Sequence, residues 1–243
     1  MFNSAKQLYS GEIYLQSAVQ EENLGTVGQD SFGDLYRYTK MGAANVAAGY
    51  VQTAPTQITN HHNCAATAAV TADGRTNKVT LQLGATAAVA NEYAGGYLVA
   101  NDNSPEGEMY RVMGHPAADS AATLEVTVDR PFVTSITTSS EFTLVHNKYN
   151  KSIVGASVTV PIAGVGLVDL TAAYFGWLKV TGVAPCLIGS TTTLGSLVMI
   201  YTSTPGSVTD TTDLSAPETQ LQIGRALATG VTGEFQPIEL AFT

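Results

Sequence analysis

Four histidines, two cysteines and twenty carboxylates are the side chains from which any active site of this 243-residue chain would be built. The densest run is Asn60-His61-His62-Asn63-Cys64. Adjacent side chains on a strand point to opposite faces, so His61 and His62 do not share one metal ion. The zinc spacings C-x-x-C and H-x-x-x-H are absent. The run reads as a polar loop with an exposed histidine pair. Asp102, Asn103, Glu106 and Glu108 surround Gly107 with oxygen ligands of the kind calcium takes, at spacings that are not those of an EF-hand loop. A solvated hairpin tip is the plainer reading, and the acidic stretch Asp210, Asp213, Glu218 is read the same way. A serine nucleophile needs a base and an orienting acid in contact, and no G-x-S-x-G elbow places one. Neither phosphate-cradling pattern, G-x-G-x-x-G or G-x-x-x-x-G-K-[ST], is present. Trp177 is the only tryptophan and aromatics make up 8% of the chain, which is little material for a sugar-processing groove. The expectation is therefore a protein that is not an enzyme, with no catalytic residue, metal or cofactor.

Composition narrows the class further. Hydrophobic residues are 44% and charged residues 13%, about half the usual charged share. A surface this poor in charge suits a subunit covered by neighbours, because charge is depleted at interface cores. The net charge of -9 and eleven scattered basic residues argue against a nucleic-acid partner, which needs clustered Lys and Arg. An acidic protein is repelled by packaged DNA and belongs outside a shell. Cys64 and Cys186 lie far apart and read as buried thiols. No run of apolar residues follows Met1–Ser10 as a secretory leader would require, and none reaches membrane-span length. The expectation is a protein made in a cytoplasm, with no membrane partner.

The elements that must carry these residues are short strands. Asp34–Lys40, Tyr50–Thr53, Lys78–Leu83, Tyr97–Ala100, Glu108–Met113, Thr123–Val128 and Glu141–His146 alternate or are rich in β-branched and aromatic residues. Val158–Val160, Gly166–Leu170, Tyr174–Val180, Leu197–Tyr201, Gln222–Leu227 and Phe235–Phe242 continue the style. Gly, Pro, Ser and Thr clusters separate them, and no window keeps a 3.6-residue period. The predicted fold is all-β, a sandwich or barrel of short antiparallel strands with an extended N-terminal arm. The expected divisions are the arm over 1–33, with a short helix near Ile13–Glu22, a β domain over 34–150, and a second β module over 151–243. Thr86-Ala87-Ala88 before Tyr93 and Thr171-Ala172-Ala173 before Tyr174 form a weak internal likeness, read either as two related modules or as chance.

Several blocks resemble a known group. Gly33-Asp34-Leu35-Tyr36-Arg37-Tyr38, then Gly42-Ala43-Ala44 and Ala47-Ala48-Gly49, is similar to the opening of structural proteins of tailed bacteriophages. Tyr93–Asp102, Gly107–Val112, Tyr174–Leu178 and Ile223-Gly224-Arg225-Ala226-Leu227 resemble later parts of the same group. The last strand pair also resembles capsid decoration, or cement, proteins, in which such a strand precedes a Gly-rich turn; Thr229–Gly233 supplies it here. The resemblance implies a virion protein on the capsid surface, a homo-oligomer, in particular a trimer, clamping the major capsid protein. Leu8, Ile13, Tyr14 and Leu15 of the arm, with Tyr174, Phe175 and Trp177, are the candidate interaction residues. A tail, baseplate or head-fibre subunit binding a host receptor is the alternative. A virion polysaccharide-degrading enzyme is the alternative of another class.

Overall fold

The computed structural model describes residues 5–9, 11–157, 159–211 and 222–242. Almost all regular structure in it is strand. The N-terminal region holds β1 (Lys6–Gln7), β2 (Gln16–Ser17), β3 (Val27–Gln29), β4 (Leu35–Lys40) and β5 (Val51–Thr53). The middle holds β6 (Cys64–Ala65), β7 (Lys78–Gln82), β8 (Tyr97–Asp102), β9 (Met109–Gly114), β10 (Thr123–Val128) and β11 (Glu141–Val145). Then come β12 (Ile153–Val154), β13 (Ile162–Gly166), β14 (Phe175–Lys179), β15 (Thr181–Leu187), β16 (Leu197–Tyr201), β17 (Ser207–Asp210), β18 (Gln222–Ala226) and β19 (Phe235–Ala241). Two single 3-10 turns, Glu12–Tyr14 and Thr59–His61, are the helical content of the described residues. No helix among them is long and apolar enough to cross a membrane.

The strands form because apolar residues recur at every second position. In β10, Leu124, Val126 and Val128 are buried while Thr123 and Glu125 face water. Burying each such side chain contributes roughly 1.5–3 kcal/mol. The antiparallel pairing then closes into rings. β4, β14, β13, β5 and β12 follow one another in one sheet, and the bridge Met41↔Ser152 joins its β4 side to its β12 side. β15, β19, β18, β16 and β17 follow one another in another, and Ile188↔Val208 joins the ends. These two five-stranded rings, here A and C, match strand for strand in order. A third ring, B, runs β6, β11, β8, β9, β10, β7, and Ala66↔Leu81 closes it. A single bridge closes each ring, and β1, paired only with β3, lies at an edge of the sheet that carries ring A.

All three rings share one order of four strands. The first and second strands are joined by a corner, as are the third and fourth, and the two corners grip each other. Val46 and Leu170 exchange reciprocal N–H···O bonds in ring A, Ala88 and Ala118 in ring B, and Thr192 and Gly230 in ring C, all at 2.8 to 3.0 Å. Val70 and Ile136 form a fourth such pair. Three residues beyond each of the first six bridge positions the chain enters the left-handed region, at Gly49, Asn91, Ala121, Ala173, Gly195 and Gly233. A β-turn bond follows, for example Tyr174 N–H to Thr171 O at 3.1 Å and Glu234 N–H to Val231 O at 3.1 Å. These are turns with positive φ at their third residue, which Gly and Asn adopt cheaply and Ala at roughly 1–2 kcal/mol. The likeness between Thr86-Ala87-Ala88 and Thr171-Ala172-Ala173 thus lies on a recurring element, but in shifted register: the bridge residues are Ala88 and Leu170.

Ring A has a second signature in ring C. A Cβ on Gly164 would lie 2.8 Å from the Lys179 carbonyl oxygen, and one on Gly224 would lie 1.8 Å from that of Glu239. Each glycine sits on the third strand beside the fourth, next to a register shift in the pairing with the second. The runs Gly164-Val165-Gly166-Leu167 and Gly224-Arg225-Ala226-Leu227 occupy the same place.

The chain forms two compact units. One is Thr56–Asn147 and contains ring B around Leu81, Leu98, Tyr110, Leu124, Phe142 and Leu144. The other is the chain before Thr56 and after Asn147, with rings A and C. The divisions therefore fall at 55/56 and 147/148, rather than at 33/34 and 150/151, and the second module is not continuous in sequence with its partners. The residues around the expected 150/151 division are built into ring A. Ser152 is fully buried, with its hydroxyl 3.0 Å from Thr39 Oγ1 and 3.2 Å from Gln52 Oε1. The described residues of the expected arm, 5–9 and 11–33, are tied into the sheet of their own unit. β1 pairs with β3, β2 with β14, and in place of the expected helix near Ile13–Glu22 there is one 3-10 turn followed by β2. The alternation of charged and isolated apolar residues supports no helical stripe there.

Among the expected strands, Thr123–Val128 and Leu197–Tyr201 are found at the predicted bounds and most others within two residues. Gly166–Leu170 is instead the corner after β13, and Thr159-Val160 is a bend. Val158 lies outside the described residues. β15 was not expected, because Gly182 and Pro185 interrupt its pattern. Pro185 faces Pro237 across the β15–β19 pair, so neither proline takes an amide from the other's strand there.

Candidate interaction groove

The histidines are framework rather than a reactive set. Tyr93 is fully buried in ring B, with imidazoles at ring-centroid distances of 5.6 Å (His61), 5.6 Å (His115) and 4.6 Å (His146). His61 Nε2 lies 2.9 Å from the Thr86 carbonyl, which only accepts, so this nitrogen carries the proton and Nδ1 accepts from the Tyr93 hydroxyl. The Tyr93 amide donates to His115 Nε2 at 3.1 Å, and His115 Nδ1 donates to the Pro116 carbonyl at 2.7 Å. Both nitrogens of each ring are in hydrogen-bond contact. His146 Nε2 lies 3.7 Å from Glu92 Oε1. Burial pushes the Tyr93 phenol up, so it stays protonated. The expected exposed histidine pair is thus corrected: the 3-10 turn Thr59–His61 sends His61 into the core, and His62 is half-buried.

Among the described residues no group of three His, Cys, Asp or Glu side chains is placed to hold a metal ion. At the 102–108 tip the carboxylates diverge. Asp102 takes the Asn103 amide at 2.8 Å, while Glu108 turns back to the Tyr110 and Thr134 hydroxyls. Asp210 is buried in β17, and Asp213 and Glu218 lie outside the described residues. Burial raises the Cys64 thiol to about 11 and the Cys186 thiol to about 12, so neither is a thiolate nucleophile near neutral pH.

The seven candidate interaction residues separate into two groups. Leu8, Ile13, Phe175 and Trp177 join Tyr36 and Tyr38 in one buried cluster. Tyr38 stacks on Phe175 at 6.1 Å and meets Trp177 edge-on at 5.1 Å. These four hold the N-terminal segment down and are not free to dock. Tyr14, Leu15 and Tyr174 are exposed. Lys6 fastens the same segment, 3.3 Å from Glu12, 3.0 Å from Glu22 and 5.8 Å over the Trp177 ring. The bond to Glu22 raises the Lys6 ammonium above its ordinary value, and the Tyr9 amide lowers the Glu12 carboxyl.

Beside this segment a groove of about 450 Å³ opens between the 3-10 turn, the β3–β4 turn and the start of β15. Its walls are Ile13, Tyr14, Phe32, Leu167, Val183 and Pro185. Phe32 is 90% exposed at the tip of a turn whose backbone is bonded to Asp30. Asp30 Oδ1 takes the Phe32 and Asp34 amides at 2.9 and 3.0 Å, and Gly33 N–H returns to the Asp30 carbonyl. The floor is polar. Lys179, 6% exposed, is ion-paired to Asp34 and lies over the Tyr36 ring, and the Tyr36 hydroxyl donates to Asp30 Oδ2 at 3.2 Å. Burial, then the Asp30 charge, pushes the Tyr36 phenol up. Tyr14 lines this groove, while Leu15, in extended backbone after the 3-10 turn, lines a smaller cleft with Lys6, Glu12 and Glu22.

Sequence reasoning named Tyr14 but missed Phe32, Asp34 and Lys179. The Asp30-Ser31-Phe32-Gly33 turn with an aromatic at its tip was a readable signal. The Lys179–Asp34 pair spans the whole inserted unit and left none. Comparison with protein-family models, curated proteins and solved structures finds no match.

Proposed function

We propose that this chain is a non-enzymatic structural subunit of a tailed-phage particle, of the decoration or cement type, that binds the outside of the major capsid shell as a homotrimer and stabilises it. The observation that supports this reading is apolar side chains standing in water. Val19 is 71% exposed on the N-terminal segment, Met109 and Met113 project from β9 of ring B, and Leu194 and Val231 project from the two corners of ring C. These are side chains a neighbour could cover, and the 13% charged content supports the same account, because charge is depleted at interface cores. The charge of -9 favours the face of a shell away from DNA.

A cement protein acts by mass action: at one hundred times its dissociation constant it stabilises the state it binds by about 2.7 kcal/mol. The test is addition of purified chain to shells lacking it, followed by sedimentation and by the temperature at which shells release DNA. Stoichiometric binding with a raised release temperature is expected. Absence of binding, or binding with no change in that temperature, sinks the cement reading.

A further inference from the structure

We propose that the groove walled by Tyr14 and Phe32 and floored by Asp34 and Lys179 is a binding site for a neutral saccharide. Three features converge on that class. First, Phe32 is 90% exposed on a turn whose backbone Asp30 holds, and Tyr14, 53% exposed, lines the same groove. The C–H face of a sugar ring is apolar and stacks on such aromatic rings, while its hydroxyls stay solvated. Second, the floor offers a carboxylate and an ammonium side by side. The Asp34 side chain keeps 28% of its surface and that of Lys179 8%, and each sugar hydroxyl both donates and accepts. Third, the floor disfavours charged ligands. An anion meets Asp30 and Asp34 in a chain of net charge -9, and a cation must displace Lys179 from its own partner. A volume of about 450 Å³ lies within the range of small-ligand sites.

The aromatic shortage that argues against a sugar-processing groove does not bear on binding, because a stacking platform needs one or two rings. No bond is made or broken in this proposal. It is also independent of the cement reading: shell binding is read on particles, and saccharide binding on the free chain.

The experiment is calorimetric titration of the full chain with maltotetraose, cellotetraose and chitotetraose, and with a sulfated heparin tetramer as the charged probe. At least one neutral tetrasaccharide is expected to bind, and the heparin tetramer is not. Phe32→Ala and Tyr14→Ala should each weaken binding about tenfold, with unchanged far-UV circular dichroism, since both side chains face water. Val19→Ala, exposed but outside the groove, should leave binding as it is. The proposal is overturned if none of the neutral probes binds, if the heparin tetramer binds as tightly as they do, or if both aromatic variants bind like the parent.

Discussion

Replacing Gly224 by alanine tests whether close approach of strands is what ring C is built around. The new Cβ would stand 1.8 Å from the Glu239 carbonyl oxygen, 2.8 Å from its carbon and 3.1 Å from the Leu240 Cα. All three are backbone atoms of β19, so no side chain can swing away. Restoring van der Waals contact requires β18 and β19 to part by about 1.5 Å. The pair is otherwise held at the usual strand spacing by the Gly224↔Leu240 and Arg225↔Glu239 register. Parting breaks two or three ladder bonds worth about 1 kcal/mol each, and overpacking the Ile223, Ile238 and Leu240 core adds about 1–3 kcal/mol. The expected loss is about 3–6 kcal/mol, a large part of a typical domain's stability. Gly195→Ala is the control. Its φ is +82° but nothing lies within 4 Å of its Cβ, so only the left-handed strain of about 1–2 kcal/mol applies. Urea unfolding followed by Trp177 fluorescence reports the unit that contains rings A and C. If Gly224→Ala unfolds within about 1 kcal/mol of Gly195→Ala, the close-approach argument is wrong.

Further outcomes follow from the same reasoning. Tyr93→Phe removes the hydroxyl that serves His61 Nδ1 inside ring B and should cost about 1–3 kcal/mol; chemical unfolding of the variant reads it, and a neutral result would mean the bond is not made. Cys64 and Cys186, raised to about 11 and about 12 by burial, should resist iodoacetamide at pH 8 in the native chain and react in 8 M urea; rapid native labelling would show open packing. The N-terminal segment should loosen at both ends of the pH scale. Glu12 titrates below its ordinary 4.5, so its contribution is present above that value and lost as pH falls through the lowered one. Lys6 titrates above its ordinary 10.5, so its contribution is present below that value and lost as pH rises through the raised one. Hydrogen-exchange protection of the Leu8 amide, bonded to Gln29 O at 2.8 Å, should fall in both directions; protection that is flat from neutral to acid pH would remove Glu12 from the account.

Strand positions were legible in the sequence wherever period-2 burial is clean, as in Thr123–Val128 with its three inward apolar residues. They were not legible where backbone demands replace side-chain pattern. β13 reads Ile-Ala-Gly-Val-Gly and is buried at every position, which mimics a turn in composition. The corners were nearly invisible, because Ala, Thr and Gly serve equally well at Val46, Ala118, Thr192 and Gly230, whose work is done by main-chain bonds. The insertion of residues 56–147 left no composition shift, since Pro55 and Asn147 are ordinary neighbours of ordinary loops. Of the candidate contact residues, Phe175 and Trp177 were expected to meet a partner and are instead buried. Whether they face a partner or their own core depends on Leu8 and Ile13 lying over them, a long-range fact that no local pattern encodes.

The shared ring order has a consequence for the sequence of events in folding. In ring B the first strand meets the fourth across a modest stretch, Val79 opposite Val126, and ring C is similar, Val183 opposite Glu239. In ring A, Tyr38 must find Trp177 with all of ring B in the intervening loop. Closing a long unstructured loop is entropically dearer and kinetically slower than closing a short one. If Thr56–Asn147 condenses first, that loop shrinks to the span between Pro55 and Lys148, and ring A closes on an already compact tether. The inserted ring would then act during synthesis as the clasp that gathers its own flanks, and lesions in its core would delay the burial of Trp177 in a unit they do not belong to.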